Sequence, residues 1–248
     1  MNNLEPIQIV PDVYYMQVGP TMVNCGFVVT RDGVVVVDGG PTPAAGVAIR
    51  EAIARVTDQP IAYVINTHFH SSHTFGNQAF DVPVIAHSRC RQDMQRALTD
   101  EWTPEEIERC CQEHRDIAPE MVGLRVTLPS IAFGGTGFLH IGGKLLQLLP
   151  LGNHTPDSIA VFLAEQRVVF AGDNLFNGRH PFLRHANASQ WADVLRRLES
   201  LKIDQAVPGH GRVMERKDVY NLRVYFESLR RAPRHRKGQP HLERIAQV

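Results

Sequence analysis

Six potential metal ligands recur along the chain, each beside a glycine, a turn or the end of an apolar run. Three lie in the segment His68-Phe69-His70-Ser71-Ser72-His73, and the others are His154, Asp173 and His210. In an extended segment, side chains two residues apart point the same way. The first two histidines can therefore bind one ion while the third faces a neighbouring position. Because imidazole and carboxylate groups are common zinc ligands, the pattern predicts a metal centre with room for two ions.

Such a centre is suited to hydrolysis. Three histidines around zinc leave one position open for water, and binding lowers the pKa of that water to about 7. A carboxylate such as Asp173 can bridge two ions, and ions roughly 3.5 to 4 Å apart can hold a nucleophile and a developing oxyanion together. We therefore expect a metal-dependent hydrolase in which metal-bound hydroxide attacks an acyl carbon, with Asp173 as both ligand and catalytic residue. The chain has no Gly-x-Ser-x-Gly motif, so a serine nucleophile is not required.

The composition points away from nucleic acids and membranes as partners. The chain has 248 residues, with 26 Lys plus Arg and 26 Asp plus Glu, so its formal net charge is zero. No apolar run approaches the roughly 18 to 20 residues that span a bilayer, and the first residues lack a signal-peptide pattern. Four cysteines fit neither a disulfide framework nor a thiolate zinc site: Cys25, Cys90, Cys110 and Cys111. We expect a cytoplasmic protein with a small-molecule substrate.

Short apolar runs alternate with helical patterns, which predicts an α/β fold. Val34 to Val37 is β-branched and ends at Asp38-Gly39-Gly40, as expected of a buried strand entering a tight turn. Thr42 is expected to cap a helix that has Pro43 at its first position. The other predicted strands span residues 61–65, 83–86, 131–133, 138–141, 145–149, 159–163, 168–171 and 205–207. The other predicted helices lie within 88–116, with an interruption near Thr103-Pro104, and at 189–201 and 216–230. We place no domain boundary: residues 1–248 are expected to form a single domain whose tail, from about residue 232, is loosely ordered.

The order and spacing of these motifs resemble the metallo-β-lactamase-fold metallohydrolases. The resemblance runs from about Val13 to the last predicted helix. It depends on the three-histidine segment, Gly152-x-His154-Thr155, Gly172-Asp173 and Pro208-Gly209-His210-Gly211. It implies an αββα four-layer sandwich, in which two mixed β-sheets are flanked by helices and zinc lies at one edge of the sheets. Carried over by position, it implies a first metal on His68, His70 and His154, and a second on His73, His210 and Asp173, with Asp173 shared.

One position departs from the family pattern, because Ser72 stands where the family carries an aspartate before the third histidine. That aspartate also helps to orient the attacking hydroxide in the family, so Ser72 is a catalytic position at which both affinity and rate are expected to be lower. Three interpretations remain open: a weaker second site with three ligands, a single filled site holding zinc or iron, or a catalytically impaired metal-binding protein. Ser72 is also suited to cap a helix that begins near His73.

Other residues are candidates for supporting roles. Asp38 matches the family's strand-end aspartate, which hydrogen-bonds around the metal ligands, and Thr67 is expected to support His68. Arg179 and His180 are candidates for the substrate entrance, where Arg179 would meet a substrate carboxylate; a plain surface loop is the alternative. The remaining histidines lack partners at ligand spacing and are interpreted as structural or exposed: His87, His114, His140, His185, His235 and His241.

The substrate, two rival functions and the assembly stay open. A thioester, a lactone, a β-lactam and a small ester are all compatible with the centre. The family's persulfide dioxygenases hold one iron on two histidines and an aspartate, a role that His70, His154 and Asp173 could fill. A non-catalytic metal-binding protein is the second rival. The helical region from Gln92 to His114 is expected either to cover the pocket or to form a homodimer surface.

Overall fold

The computed structural model describes residues 4–19, 21–187 and 189–231, and the predicted tail from residue 232 lies outside this range, as do His235 and His241. Its strands form two groups that follow each other in the sequence. The first group is β1 (Ile7–Val10), β2 (Val13–Val18), β3 (Val23–Thr30), β4 (Gly33–Val37), β5 (Ile61–Ile65), β6 (Val84–His87) and β7 (Ile131–Phe133). The second group is β8 (Gly137–Ile141), β9 (Lys144–Pro150), β10 (Ile159–Leu163), β11 (Val168–Phe176), β12 (Gln205–His210) and β13 (Met214–Glu215).

Both groups are mixed sheets. The strands pair in the order β7-β6-β5-β4-β3-β12-β11-β10-β9-β8, with β1 on β2, β2 on β3 and β13 on β12. The two groups meet through one residue pair, Val23 of β3 with His210 of β12. Strands β4 to β7 are parallel, as are β11 and β12, and the other pairs are antiparallel. Because the parallel strands of each group end near this junction, residues at their carboxyl ends can share one site.

Six α-helices lie in the described part of the chain. They are α1 (Pro43–Ala54), α2 (Ser71–Thr74), α3 (Ser88–Asp100), α4 (Pro104–Glu113), α5 (Trp191–Ser200) and α6 (Arg216–Arg231), and short 3₁₀ turns follow at Phe75–Ala79 and Ala118–Met121. The Thr42 hydroxyl caps α1 by accepting a hydrogen bond from the Ala45 N–H at 3.0 Å. Thr103 caps α4 in the same way, so both predicted helix starts are confirmed. Within the described ranges, no helix is both long and apolar enough to cross a membrane.

The four valines of β4 show how the layers stack. Side chains alternate between the two faces of a strand, so Val35 and Val37 face one side and Val34 and Val36 the other. The first pair packs in a core with residues of the second sheet such as Leu148. The second pair packs under α1, with Ile49 and its neighbours. A strand buried on both faces must be apolar throughout, which explains the unbroken valine run.

The second sheet is covered in the same manner. On its outer face, Val169 and Ala206 pack with Trp191 and Leu195 of α5 and with Phe226 of α6. The order of layers is therefore helix, sheet, sheet, helix, and the predicted four-layer sandwich is confirmed.

Strands β11 and β12 run further than predicted. The sequence predicted strand ends before Gly172 and Pro208, but β11 continues to Phe176 and β12 to His210. The two strands pair in parallel along this extra length, with register shifts on both sides of Gly172. Because the pairing satisfies the backbone, glycine and proline do not end these strands. Asp173 and His210 therefore lie on strands and not in turns.

The prediction that Ser72 caps a helix is wrong. Helix α2 begins at Ser71 with His70 in the capping position, so Ser72 lies inside the helix. The reason is local: the His73 N–H donates to the His70 carbonyl at 3.0 Å, which closes the turn earlier than expected.

Candidate metal centre

The six predicted ligands come together where the two sheets meet. His68 and His70 lie in the loop after β5, His73 lies on α2, His154 lies in the loop between β9 and β10, Asp173 is on β11 and His210 ends β12. They form two groups that could each hold a metal ion, His68-His70-His154-Asp173 and His73-Asp173-His210. Asp173 belongs to both groups. All six except His70 are buried.

The donor atoms of the first group have the spacing of a metal site. His70 Nδ1 lies 3.1 Å from His68 Nε2 and 3.0 Å from His154 Nε2. Asp173 Oδ2 lies 3.2 Å from His154 Nε2 and 3.8 Å from His68 Nε2. Ligands at about 2.0 to 2.1 Å around a tetrahedral ion are separated by roughly 3.3 to 3.4 Å. Since one Nδ1 cannot donate a proton to two imidazoles at once, the convergence fits a cation better than a set of hydrogen bonds.

The second group uses the other oxygen of the shared carboxylate. Asp173 Oδ1 lies 3.2 Å from His73 Nε2 and 3.5 Å from His210 Nε2. Asp173 Oδ1 and His73 Nε2 are buried, and neither has a hydrogen-bond partner among the described residues. Buried polar atoms without partners are costly, and a cation between them would satisfy both. The two oxygens of Asp173 thus face two adjacent metal positions.

Asp38 orients one histidine of each group. It follows β4 directly, and its Oδ2 accepts hydrogen bonds from His73 Nδ1 and from the Thr67 hydroxyl, both at 2.8 Å. Because the Thr67 hydroxyl donates to Asp38, it can accept from His68 Nδ1, which lies 3.0 Å away. Both imidazoles then carry their proton on Nδ1 and present Nε2 to the centre. These contacts are the ones expected of Asp38 and Thr67.

His210 is held by backbone and aromatic contacts. Its Nδ1 donates to the Thr21 carbonyl at 2.9 Å, which leaves Nε2 free to face Asp173. The Phe176 ring stacks on the imidazole with the two planes 2° apart and the centroids 5.4 Å apart. Ring and carbonyl together fix both the tautomer and the orientation of His210.

Two glycines permit the close packing around Asp173. A Cβ at Gly209 would lie 1.8 Å from Asp173 Oδ1, so a side chain there would displace the carboxylate. Gly172 has φ +51°, a left-handed conformation that favours glycine, and a Cβ there would lie 2.5 Å from the Thr67 hydroxyl. The glycines beside Asp173 and His210 are therefore required by the approach of β11, β12 and the Thr67 segment.

The three histidines of the first group are uncharged at neutral pH, so their imidazoles can bind a metal ion. Burial, with a further effect from His73, lowers the pKa of His68 well below its ordinary value. Burial likewise lowers the pKa of His70 well below its ordinary value and lowers that of His154 to about 4. All three imidazoles are then neutral at pH 7, the form that metals require.

His73 differs because two carboxylates flank it. Burial alone would lower its pKa, but Asp38 and Asp173 outweigh burial and raise the pKa of His73 to about 10. Asp173 stays ionised, since His210, His73 and His154 overcome the effect of burial and hold its pKa well below the ordinary value. In the metal-free chain, a proton on His73 therefore supplies the positive charge that an ion would supply at the second position.

The structure separates Arg179 and His180 from the metal ligands. Both line a cavity of about 450 Å³ together with Phe176, Met214 and Tyr225, and none of the six predicted ligands lines it. Phe176 lines this cavity and also stacks on His210, so the cavity and the centre share this ring. A substrate role for Arg179 and His180 stays a prediction, as does a catalytic role for Ser72, which is partly exposed on α2.

Helix α3 packs against the histidine segment. Its Met94 and Ala97 share a buried cluster with Phe69, the residue between the first two histidines, and with Trp102. Both predictions for the region from Gln92 to His114, that it covers the pocket or forms a homodimer surface, stay predictions.

The sequence pattern did not reveal the position of His185. Its Nδ1 lies 2.8 Å from His70 Nε2, although 115 residues separate the two in the chain. No spacing rule links residues so far apart, and only the path of the segment after β11 brings them together.

Comparison with known proteins identifies the family of the chain. The model of the metallo-beta-lactamase superfamily matches residues 18–210. A metallo-beta-lactamase from Pontibacter korlensis superposes with a TM-score of 0.73 and 20% identity, covering 90% of this chain and 99% of its own. TMB-1 superposes with a TM-score of 0.71 and 18% identity, and the match covers 93% of this chain and 100% of TMB-1. A double mutant of the sec-alkyl sulfatase PisA1 superposes with a TM-score of 0.72 and 16% identity, and the match covers 91% of this chain and 42% of the sulfatase. At these identities the three structures show a shared fold and no more. The family model matches residues 18–210, which is most of the chain, and so the chain belongs to the metallo-beta-lactamase superfamily.

Proposed function

We propose that the protein is a metal-dependent hydrolase that uses zinc-activated water to attack the acyl carbon of a thioester, lactone, β-lactam or small ester. The observation that carries this proposal is the position of Asp173, whose two oxygens each belong to one of two adjacent ligand groups. Two ions sharing a carboxylate can activate a nucleophile and stabilise a developing oxyanion at the same time. Membership of the superfamily supports the same reaction class.

The six candidate ligands would be divided between two metal ions. His68, His70 and His154 would hold the first ion, and His73 and His210 the second, with Asp173 between them. When bound, zinc supplies a Lewis acid that lowers the pKa of a water to about 7 and polarises a carbonyl oxygen. Asp38 and Thr67 keep the imidazoles of His68 and His73 in the tautomer that ligates.

Ser72 would set the strength of the second position. With a neutral hydroxyl in place of the family's carboxylate, that position keeps three protein ligands and one fewer negative charge. We propose that the second ion binds more weakly than the first and that the reaction is slower for lack of a carboxylate to orient the nucleophile.

A mononuclear iron oxygenase is the second candidate. His154 Nε2 lies 3.0 Å from His70 Nδ1 and 3.2 Å from Asp173 Oδ2. Two histidines with one carboxylate are the ligands of non-haem iron oxygenases. This function would require iron and oxygen together with a thiol persulfide.

One experiment separates the candidates. The metal-free protein is reconstituted with zinc or with ferrous iron and assayed on a thioester, a lactone, a β-lactam and a small ester. Oxygen uptake with a thiol persulfide is measured in parallel. Zinc-dependent hydrolysis of at least one substrate supports the proposal. Iron-dependent oxygen uptake without hydrolysis would support the oxygenase, and metal uptake without any turnover would indicate a metal-binding protein.

A further inference from the structure

His70 presents a different nitrogen to the centre from its neighbours. His68 and His154 turn Nε2 towards the first metal position, whereas His70 turns Nδ1 inwards and Nε2 outwards. Its imidazole therefore needs an acceptor on the outer side, because a proton on Nδ1 would block the metal. The other orienting acceptors at the centre are Thr67 for His68, Asp38 for His73 and the Thr21 carbonyl for His210.

The group that lies on the outer side of His70 is the imidazole of His185. His185 Nδ1 lies 2.8 Å from His70 Nε2, and His185 Nε2 lies 3.4 Å from Glu101 Oε1 at the end of α3. The His185 ring also packs on Phe69 at 5.4 Å between centroids. His185 thus bridges three parts of the chain: the histidine segment, α3 and the segment that follows β11.

We infer that His185, oriented by Glu101, is a positioning residue that holds His70 in the tautomer and direction required to bind the first metal ion. In this arrangement His185 carries its proton on Nε2, which faces the Glu101 carboxylate at 3.4 Å, and keeps a lone pair on Nδ1. That lone pair accepts a hydrogen bond from the N–H of His70 Nε2, so His70 Nδ1 carries no proton and faces the ion. A carboxylate–imidazole–imidazole chain thus does for His70 what Asp38 alone does for His73.

This inference rests on the proposed binding of metal at the first position, but not on hydrolysis. Its test is zinc affinity, measured by competition with a chromogenic chelator. Substitution of an outer partner of a metal-bound histidine weakens binding by about 10- to 100-fold, and we expect a loss in that range for His185→Ala. The surface residue His140 supplies a matched control, and His140→Ala should bind zinc as the parent does.

Two amide variants distinguish positioning from packing. An asparagine amide oxygen takes roughly the place of an imidazole Nδ1, whereas a glutamine amide reaches the place of Nε2. His185→Asn should therefore recover much of the lost zinc affinity, and His185→Gln should recover less. Glu101→Gln, which keeps the shape but removes the charge, should weaken zinc less than His185→Ala does. The absorption bands of the cobalt-substituted protein should shift in His185→Ala and return towards the parent's in His185→Asn.

Three results would overturn the inference. The first is a zinc affinity for His185→Ala equal to that of the parent. The second is a loss of stability in His185→Ala that is as large without metal as with it, because His185 would then act by packing. The third is equal behaviour of His185→Asn and His185→Ala in both zinc affinity and cobalt spectrum.

If the parent itself binds no zinc, the inference and the proposed function both fail, whereas zinc binding without turnover refutes the hydrolase alone. If His185→Ala does not fold, a zinc affinity of His185→Gln equal to that of the parent overturns the inference.

Discussion

The carboxylate of Asp38 lies 2.8 Å from Nδ1 of His73, and both groups are buried beside Asp173. The second oxygen of the same carboxylate, Oδ1, accepts the Thr67 backbone N–H at 2.8 Å. Asp38 therefore joins the end of β4 to the loop after β5 and to α2. It is a structural tie as well as an orienting group for two candidate ligands.

Asp38→Asn should destabilise the metal-free protein. An amide cannot accept hydrogen bonds on both sides, so it would face either the Thr67 N–H or the His73 N–H with a donor of its own. Breaking one side of a buried charged pair typically costs about 3 to 5 kcal/mol, and we expect a loss of at least about 3 kcal/mol in the free energy of unfolding. Urea denaturation in the presence of a chelator measures it.

Asp81→Asn is the matched control for this change. Asp81 is exposed and, like Asp38, has a positive φ, 50° against 65°, so the backbone requirement is the same at both positions. A surface substitution of this kind should change the free energy of unfolding by no more than about 0.5 kcal/mol. Equal stability of Asp38→Asn and the parent would mean that the hydrogen bonds of Asp38 do not hold the centre.

Ser72→Asp should raise the zinc content towards about two ions per chain, because it restores a charged group beside the second position. Elemental analysis of dialysed protein measures the ratio of zinc to protein. Ser71→Asp adds the same charge one residue earlier and should not reproduce the gain. An unchanged stoichiometry in Ser72→Asp would refute the explanation given for the serine.

Asp173→Asn and His210→Ala should differ in the number of ions that they affect. Asp173 contributes to both ligand groups and His210 only to the second. Asp173→Asn should therefore weaken binding at both positions, whereas His210→Ala should leave one ion bound with the parent's affinity. Zinc titration calorimetry resolves the two classes of site. Equal loss of both ions in the two variants would contradict the division of ligands.

Ionisation of the buried Asp157 carboxyl should lower the free energy of unfolding as the pH rises through about 6. Its carboxyl is buried beside Cys90 and Thr155, with Asp93 nearby, and burial raises its pKa from 3.8 to about 6. A pKa raised in the folded state means that the folded protein holds the proton more tightly than the unfolded chain. The stabilising contribution is thus complete below about pH 4 and is lost as the pH rises through 6, by roughly 3 kcal/mol in total.

The comparison of Asp157→Asn with the parent isolates this effect. Histidines with lowered pKa values titrate in the same range, but they do so in both proteins. Urea denaturation at pH 4 to 7 should show the variant gaining stability relative to the parent as the pH rises. Asp58→Asn, at an exposed position, should show no such trend. A constant difference across the range would mean that Asp157 is not protonated in the folded protein at pH 5.

Several strands and helices were predictable because their local signals agree with their packing, whereas the four-layer arrangement was implied by the family resemblance. Val34 to Val37 is apolar on both faces, and the structure buries both faces. Thr42-Pro43 and Thr103-Pro104 carry helix starts that the structure reproduces. The exact ends of β11 and β12 were not predictable, because pairing between two strands distant in sequence overrides the local preference of Gly172 and Pro208 to end a strand.

The site was predictable in its ligand types and less so in its surroundings. Three histidines close in sequence and a carboxylate at a strand end belong to the two groups that could hold a metal ion, and the bridging role of the carboxylate stays a prediction. The contact between His185 and His70 depends on how two loops meet across 115 residues, and no local pattern records it. Asp157 was missed for a similar reason, because Cys90 and Asp93, which form part of its buried environment, lie on α3 and are distant from it in the chain.

The most direct test counts metal ions and turnover in the same samples. Protein stripped of metal is titrated with zinc, and bound zinc per chain is measured beside hydrolysis of the thioester, lactone, β-lactam and ester panel. We predict that hydrolysis of at least one substrate appears with zinc binding, rises with zinc content and disappears in Asp173→Asn. Full zinc occupancy with no hydrolysis of any substrate would contradict the hydrolase, and the absence of zinc binding would contradict the metal centre itself.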